Sequence, residues 1–167
     1  QLRIMSQNPN ETAAMRLSEI VARINRAASR IEGTTPPDLV AVSKTFGADA
    51  ILPLIAAGQR RFGENRVQEA QAKWPELKAQ YPDLILHLIG LLQTNKAKDA
   101  VALFDVNESV DREKLARVLS EEMARQEKQL PCFVQVNIGN EPQKAGIAVS
   151  DTIDFVAHCQ NDLGLQV

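Results

Sequence analysis

Leu39-Val40-Ala41-Val42-Ser43-Lys44-Thr45 is an apolar run that ends on a lysine. A continuous run of this kind reads as a strand buried on both faces of a parallel sheet, whose carboxyl end is delivered to the rim where such folds place their chemistry. Lys44 is therefore in position to serve as an amine nucleophile. The plainer reading, a solvated lysine at a strand end, stays open on this string alone.

Outward from that strand the chain alternates. Upstream, Leu17, Ile20, Val21, Ile24, Ala28 and Ile31 recur at helical spacing and predict a helix from Glu11 to Ile31, with Asn10 as N-cap and Gly33 as its stop. Downstream the pattern predicts a helix over Asp49–Ala57 closed by Gly58, a strand over 61–63, a helix over 66–73 stopped by Pro75, and a strand over 84–89. A short helix near 95–101 and a strand over 103–106 follow. Asp111 is then placed to cap a helix running to Glu127. A strand over 132–138 comes next, and Ser150 can cap a last helix before Leu165-Gln166-Val167 opens a sixth strand.

Strands separated by helices are parallel, because a tight hairpin cannot join them. The repeat is roughly 25 residues per unit, typical of compact α/β folds. Two architectures fit. One is an incomplete (β/α)8 barrel of about five to six units, and the other is an open doubly wound parallel sheet. No linker or composition shift divides the chain, so residues 1–167 read as a single domain.

Composition narrows the function. Of 167 residues, 44% are hydrophobic and 24% charged, which fits a folded soluble domain. Nineteen basic against twenty-one acidic residues leave a net charge of -2, with no electrostatic footprint for nucleic acid or an anionic membrane. No window approaches the roughly 18 apolar residues of a membrane span, and the first ten residues hold no apolar leader core. Cys132 and Cys159 read as packed, reduced thiols, which suits the cytoplasm. Two isolated histidines make no metal cluster, and no dinucleotide, Walker, nucleophile-elbow or C-x-x-C motif is present.

Five strings carry candidate chemistry. A lysine has a pKa of about 10.4 and attacks carbonyls only as the neutral amine, so Lys44 offers geometry for imine chemistry and still needs a suitable setting. Gly63-Glu64-Asn65 ends the next strand, where Gly63 permits close approach of a flat ring and Asn65 can hydrogen-bond its edge, unless Asn65 or Glu64 merely caps the following helix. His87, Gly90, Gln93 and Asn95 cluster at the end of the third strand, against the alternatives of a core histidine and a capping asparagine. Ser109 can meet a ligand after the fourth strand. Lys144, in a loop with Gly139 and Pro142, is a second amine near the rim or a solvated loop lysine.

Taken in order, Ala41-Val42-Ser43-Lys44-Thr45, Phe62-Gly63-Glu64-Asn65 with Val67-Gln68-Glu69, His87-x-Ile89-Gly90-x-x-Gln93-x-Asn95-Lys96 and Ser109-Val110-Asp111 resemble the YggS/PROSC family of pyridoxal 5'-phosphate homeostasis proteins. The resemblance runs from about Glu11 onward. It implies a barrel of the alanine racemase N-terminal type that carries pyridoxal phosphate through a reversible Schiff base on Lys44. Asn65, His87 and Ser109 then lie beside the cofactor and Lys144 is a secondary contact. The family implies a cytoplasmic carrier or buffer without established catalysis, a monomer, serving pyridoxal phosphate-dependent apoenzymes. A racemase-like enzyme is the alternative, although the only tyrosine, Tyr81, precedes the third strand. Arg66 and Leu91 depart from the family pattern. Family members also continue past this sequence into the strands and loops that grip the phosphate, so a truncated chain is expected here.

Overall fold

The computed structural model describes the backbone of residues 9–167 and side chains from Thr12 onward. Five parallel strands form the main sheet, in the spatial order of the sequence: β1 (Ala41–Val42), β2 (Arg61–Glu64), β3 (Ile85–Leu88), β4 (Val106–Val110) and β5 (Cys132–Val134). Sequential order decides between the two architectures. A doubly wound sheet reverses direction at a switch point, whereas five strands laid down in one direction form an arc of a barrel. The Cys132 N–H donates to Gln166 O at 2.8 Å, so the segment expected to open a sixth strand lies beside β5, although it forms no strand of the sheet.

Helices cover one face. α1 (Pro9–Ala28) packs on α2 (Ala48–Ala56), and α3 (Val67–Gln71), α4 (Trp74–Gln80), α5 (Ala97–Leu103), α6 (Glu113–Arg125) and α7 (Thr152–Asn161) follow their strands. Alternate strand residues Phe62, Leu86 and Leu88 join Trp74, Leu77, Val101, Phe104, Leu115 and Leu119 in one apolar core. Phe62 and Trp74 meet as tilted rings with centroids 5.2 Å apart. Leu115, Leu119 and Met123 supply the buried stripe of α6. The Gln59 amide donates to Leu39 O at 2.6 Å and Arg61 O at 2.7 Å, clipping the entry to β1 against β2.

Several sequence expectations are corrected. β1 spans only two residues, and Val42 is 52% exposed, so it is not buried on both faces; β1 is the outermost of the five strands and pairs only with β2. Pro75 does not end the helical region, because it sits in the first turn of α4, where its missing N–H costs nothing. Leu103 closes α5 instead of opening a strand, and β4 begins at Val106. The helix begins at Pro9, so Asn10 lies inside its first turn.

Neither Asp111 nor Ser150 caps a helix. The Asp111 carboxylate takes the Arg112 guanidinium, Arg112 itself is the N-cap, and the Ser150 hydroxyl donates to Asp151 Oδ1 at 2.7 Å. The strand expected over 132–138 is split: β5 stays in the main sheet while β6 (Val136–Asn137) pairs with β7 (Ile147–Ala148) in a separate two-stranded sheet. Both cysteines are free and buried, and burial pushes the Cys132 thiol up to about 12 and the Cys159 thiol to about 11. Among the described residues no helix is long and apolar enough to cross a membrane, and no cluster is fit to hold a metal ion.

Candidate functional site

Lys44 is carried on a turn just past β1. The Ser43 N–H donates to Gly63 O at 3.0 Å, the last rung to β2, and the Phe46 N–H then closes back on Ser43 O at 3.1 Å. Lys44 and Thr45 are the two central residues of that four-residue turn, and Thr45 has φ 68°. Positive φ at the third turn position normally selects glycine or asparagine, so a β-branched residue there is strained and must be held by its surroundings.

The restraint comes from α3 and the turn that leads into α4. Glu69 accepts the Thr45 N–H. Lys73 Nζ donates to Ser43 O at 3.1 Å and Phe46 O at 2.7 Å, the two ends of the turn. Its charge is balanced by Glu64 Oε1 at 2.9 Å, with Glu69 Oε1 at 3.7 Å. Glu64 is completely buried, and Oε1 also accepts the Ser43 hydroxyl at 2.6 Å and the Trp74 indole N–H at 3.1 Å. Oε1 is thus paired and hydrogen-bonded as a buried carboxylate oxygen requires, while Oε2 is buried without a partner. Lys44 Nζ, in contrast, is exposed and makes no hydrogen bond or ion pair among the described residues.

Register aligns Val42 with Gly63 and Gly63 with His87, so His87 lies two strands from β1 on the face opposite the helix-packed residues. His87 Nδ1 lies 2.7 Å from Glu108 Oε1, while Nε2 is buried without a partner. The expected plain roles at the end of β2 are not taken up, since the N-cap of α3 is Arg66 and has no side-chain cap bond. Asn65 Oδ1 is instead buried and unpartnered. The third strand end presses against it: a Cβ on Gly90 would lie 2.3 Å from Asn65 O. The space over Gly63, expected to admit a flat ring, is filled by Ile89 and Val40 side chains at 3.1–3.3 Å from a notional Cβ.

Ser109 and Lys144 stand apart. Ser109 is fully buried, and its N–H and hydroxyl both donate to Asn107 Oδ1 at 2.9 Å. Lys144 is exposed and ion-paired with Glu141 at 2.6 Å, in the loop between β6 and β7. That loop and Leu91 line a cavity of about 390 Å³. Asn95 lies in a 3-10 turn over Thr94–Lys96 and is exposed without capping it.

Thr45, Glu69, Lys73 and Glu108 were not singled out from sequence as site residues, and Glu64 was read only as a rim or capping side chain of its string. Only one local signal pointed to them. A carboxylate between Phe62-Gly63 and Asn65 at the end of an apolar strand requires a cationic partner from elsewhere in the chain.

The parallel barrel arc fits the alanine racemase N-terminal domain, and the model of that family matches residues 15–167. The chain belongs to this family. Over 123 residues it is 38% identical to the pyridoxal phosphate homeostasis protein of Haemophilus influenzae, covering 74% of this chain and 52% of that one. Two solved structures of PipY from Synechococcus elongatus also match. The form without pyridoxal phosphate is 39% identical with a TM-score of 0.77, covering 88% of this chain and 64% of that one. The form with pyridoxal phosphate bound is 40% identical with a TM-score of 0.68, covering 83% and 64%. The resemblance read from the four strings is borne out, and the chain spans about half to two thirds of the length of these relatives.

Proposed function

We propose that residues 1–167 form the cofactor-binding part of a pyridoxal 5'-phosphate carrier, which holds the cofactor reversibly on Lys44 and buffers or delivers it without a reaction of its own. One observation carries the reading. An unpartnered primary amine stands on a strained, tethered turn at the same end of the sheet as two buried polar atoms without partners, Asn65 Oδ1 and His87 Nε2. Orphaned buried polar groups cost free energy, and a bound ligand that hydrogen-bonds them offsets that cost.

When bound, pyridoxal phosphate supplies an aldehyde that condenses reversibly with a primary amine. Lys44 is the amine whose turn is restrained and whose Nζ is free. Asn65 Oδ1 accepts a hydrogen bond from the ligand edge. His87, with Nδ1 fixed on Glu108, keeps Nε2 available as its second polar contact. Ser109 supports the site through Asn107 more than through its own hydroxyl, and Lys144, ion-paired with Glu141, is a secondary contact at most.

The absence of a catalytic cycle is favoured by the relatives' names, which are those of homeostasis proteins. The wider reading is a cytoplasmic monomer that passes cofactor to apoenzymes and binds neither nucleic acid nor membrane. Spectrophotometric titration of the full-length protein with pyridoxal phosphate tests the central step. Wild type gains a visible absorbance band that Lys44→Ala lacks; an unchanged band in the variant would overturn the assignment.

A further inference from the structure

The geometry points to Lys73 and Glu69 as positioning residues that set the reach of Lys44 by clamping both ends and the strained centre of its turn. This rests on the reading of Lys44 as the cofactor amine and adds the device that aims it. Three of the turn's backbone polar groups leave the turn for one short stretch, α3 and the turn after it. Ser43 O and Phe46 O both accept from the Lys73 ammonium, and the Thr45 N–H goes to Glu69. The two side chains are one helical turn apart and face each other at 3.7 Å, so each also orients the other.

The arrangement exceeds what stability alone requires. An ammonium with only 10% of its side chain exposed costs free energy to bury, and satisfying two carbonyls of one turn can be achieved more cheaply with water at a surface rim. What the ion pair adds is fixed geometry. Thr45 is held at φ 68°, a conformation that an untethered β-branched residue leaves readily, and leaving it would swing Lys44 away from the ends of β2 and β3. Glu64, buried beneath, anchors the ammonium so that it cannot follow the turn outward.

The test uses the full-length protein with Lys73→Met, Lys73→Arg and Glu69→Ala, each first shown to be folded, since Lys73→Met leaves the buried Glu64 carboxylate without its ammonium and lowers the melting temperature. In the cofactor-free protein, hydrogen exchange at the Thr45 and Phe46 amides is followed. In the loaded protein, pyridoxal phosphate affinity is measured and the borohydride-labelled lysine is mapped. Lys73→Met accelerates exchange at both amides, leaves α6 unchanged, and weakens affinity about tenfold while Lys44 remains the labelled residue. Lys73→Arg recovers most of both effects. If Lys73→Met does not fold, Glu69→Ala, which removes the partly exposed acceptor at Thr45 and the weaker of the two carboxylate contacts to Lys73 while leaving Glu64 paired, carries the same expectation. Folded variants whose turn exchange and affinity both stay within about twofold of wild type overturn the positioning role. A wild-type protein that labels no lysine overturns the cofactor reading itself, whatever the exchange data show.

Discussion

Gly90→Ala should pry apart the ends of β2 and β3. The added methyl would lie 2.3 Å from Asn65 O, 2.7 Å from Asn65 Cα and 2.8 Å from Asn65 Cβ. None of these atoms is the tip of a flexible side chain, so relief requires moving backbone. Ordinary contact begins near 3.4 Å, and the two strand ends must therefore part by about 1 Å. That movement strains the last rung between them, the Ile89 N–H to Glu64 O bond at 2.9 Å. Overpacking of this kind costs about 1–3 kcal/mol, or about 2–12 °C of melting temperature in a chain of this size. It also displaces Asn65, so affinity for pyridoxal phosphate falls with stability. Denaturant titration with a parallel cofactor titration measures both. A variant within about 0.5 kcal/mol of wild type, with unchanged affinity, would refute the close approach on which the shape of this rim depends.

Glu64→Leu leaves the Lys73 ammonium nearly buried without its closest carboxylate, and breaking a buried pair from one side costs about 3–5 kcal/mol. Adding Lys73→Met recovers a large part of that loss in denaturation experiments, and equal losses in single and double variants would contradict the pairing. His158 lies between Asp162 Oδ2 at 2.6 Å and Glu113 Oε2 at 2.9 Å. Hydrogen bonds to Asp162 and then Glu113 raise its pKa above 6.5, while the His158 bond is the main cause holding Glu113 below 4.5. The imidazolium contribution is complete below pH 6.5 and fades as pH rises through the raised value; the Glu113 contribution is complete above 4.5 and fades as pH falls. The contact between α6 and α7 is thus strongest between those two values, and an NMR titration placing His158 at or below 6.5 would contradict the bridge. Cys132 and Cys159, with thiols held up to about 12 and 11, should resist thiol reagents until the protein unfolds. Rapid labelling of both in the native protein would contradict their burial.

The sequence made the helices legible wherever one face alone was apolar, as with Leu115, Leu119 and Met123 in α6. It was less informative where a residue has two roles. Pro75 punctuates one helix and opens the next, and Leu103 and Phe104 look like strand residues yet close α5 against the core. Asp111 and Ser150 match the chemistry of caps but find neighbouring side chains instead. Lys44 was visible as a residue, because a lysine ending an apolar run is a local pattern. Its setting was not. Ser43, Glu64, Glu69 and Lys73 meet only after β1 and β2 pair and the segment after β2 folds back over them, and no spacing in the chain encodes that contact.

Reduction of the pyridoxal phosphate-loaded protein with borohydride, followed by peptide mass mapping, tests the central claim most directly. The account predicts a single stable adduct on the peptide containing Lys44. An adduct on Lys96 or Lys144 in its place, or no adduct at all, would contradict it.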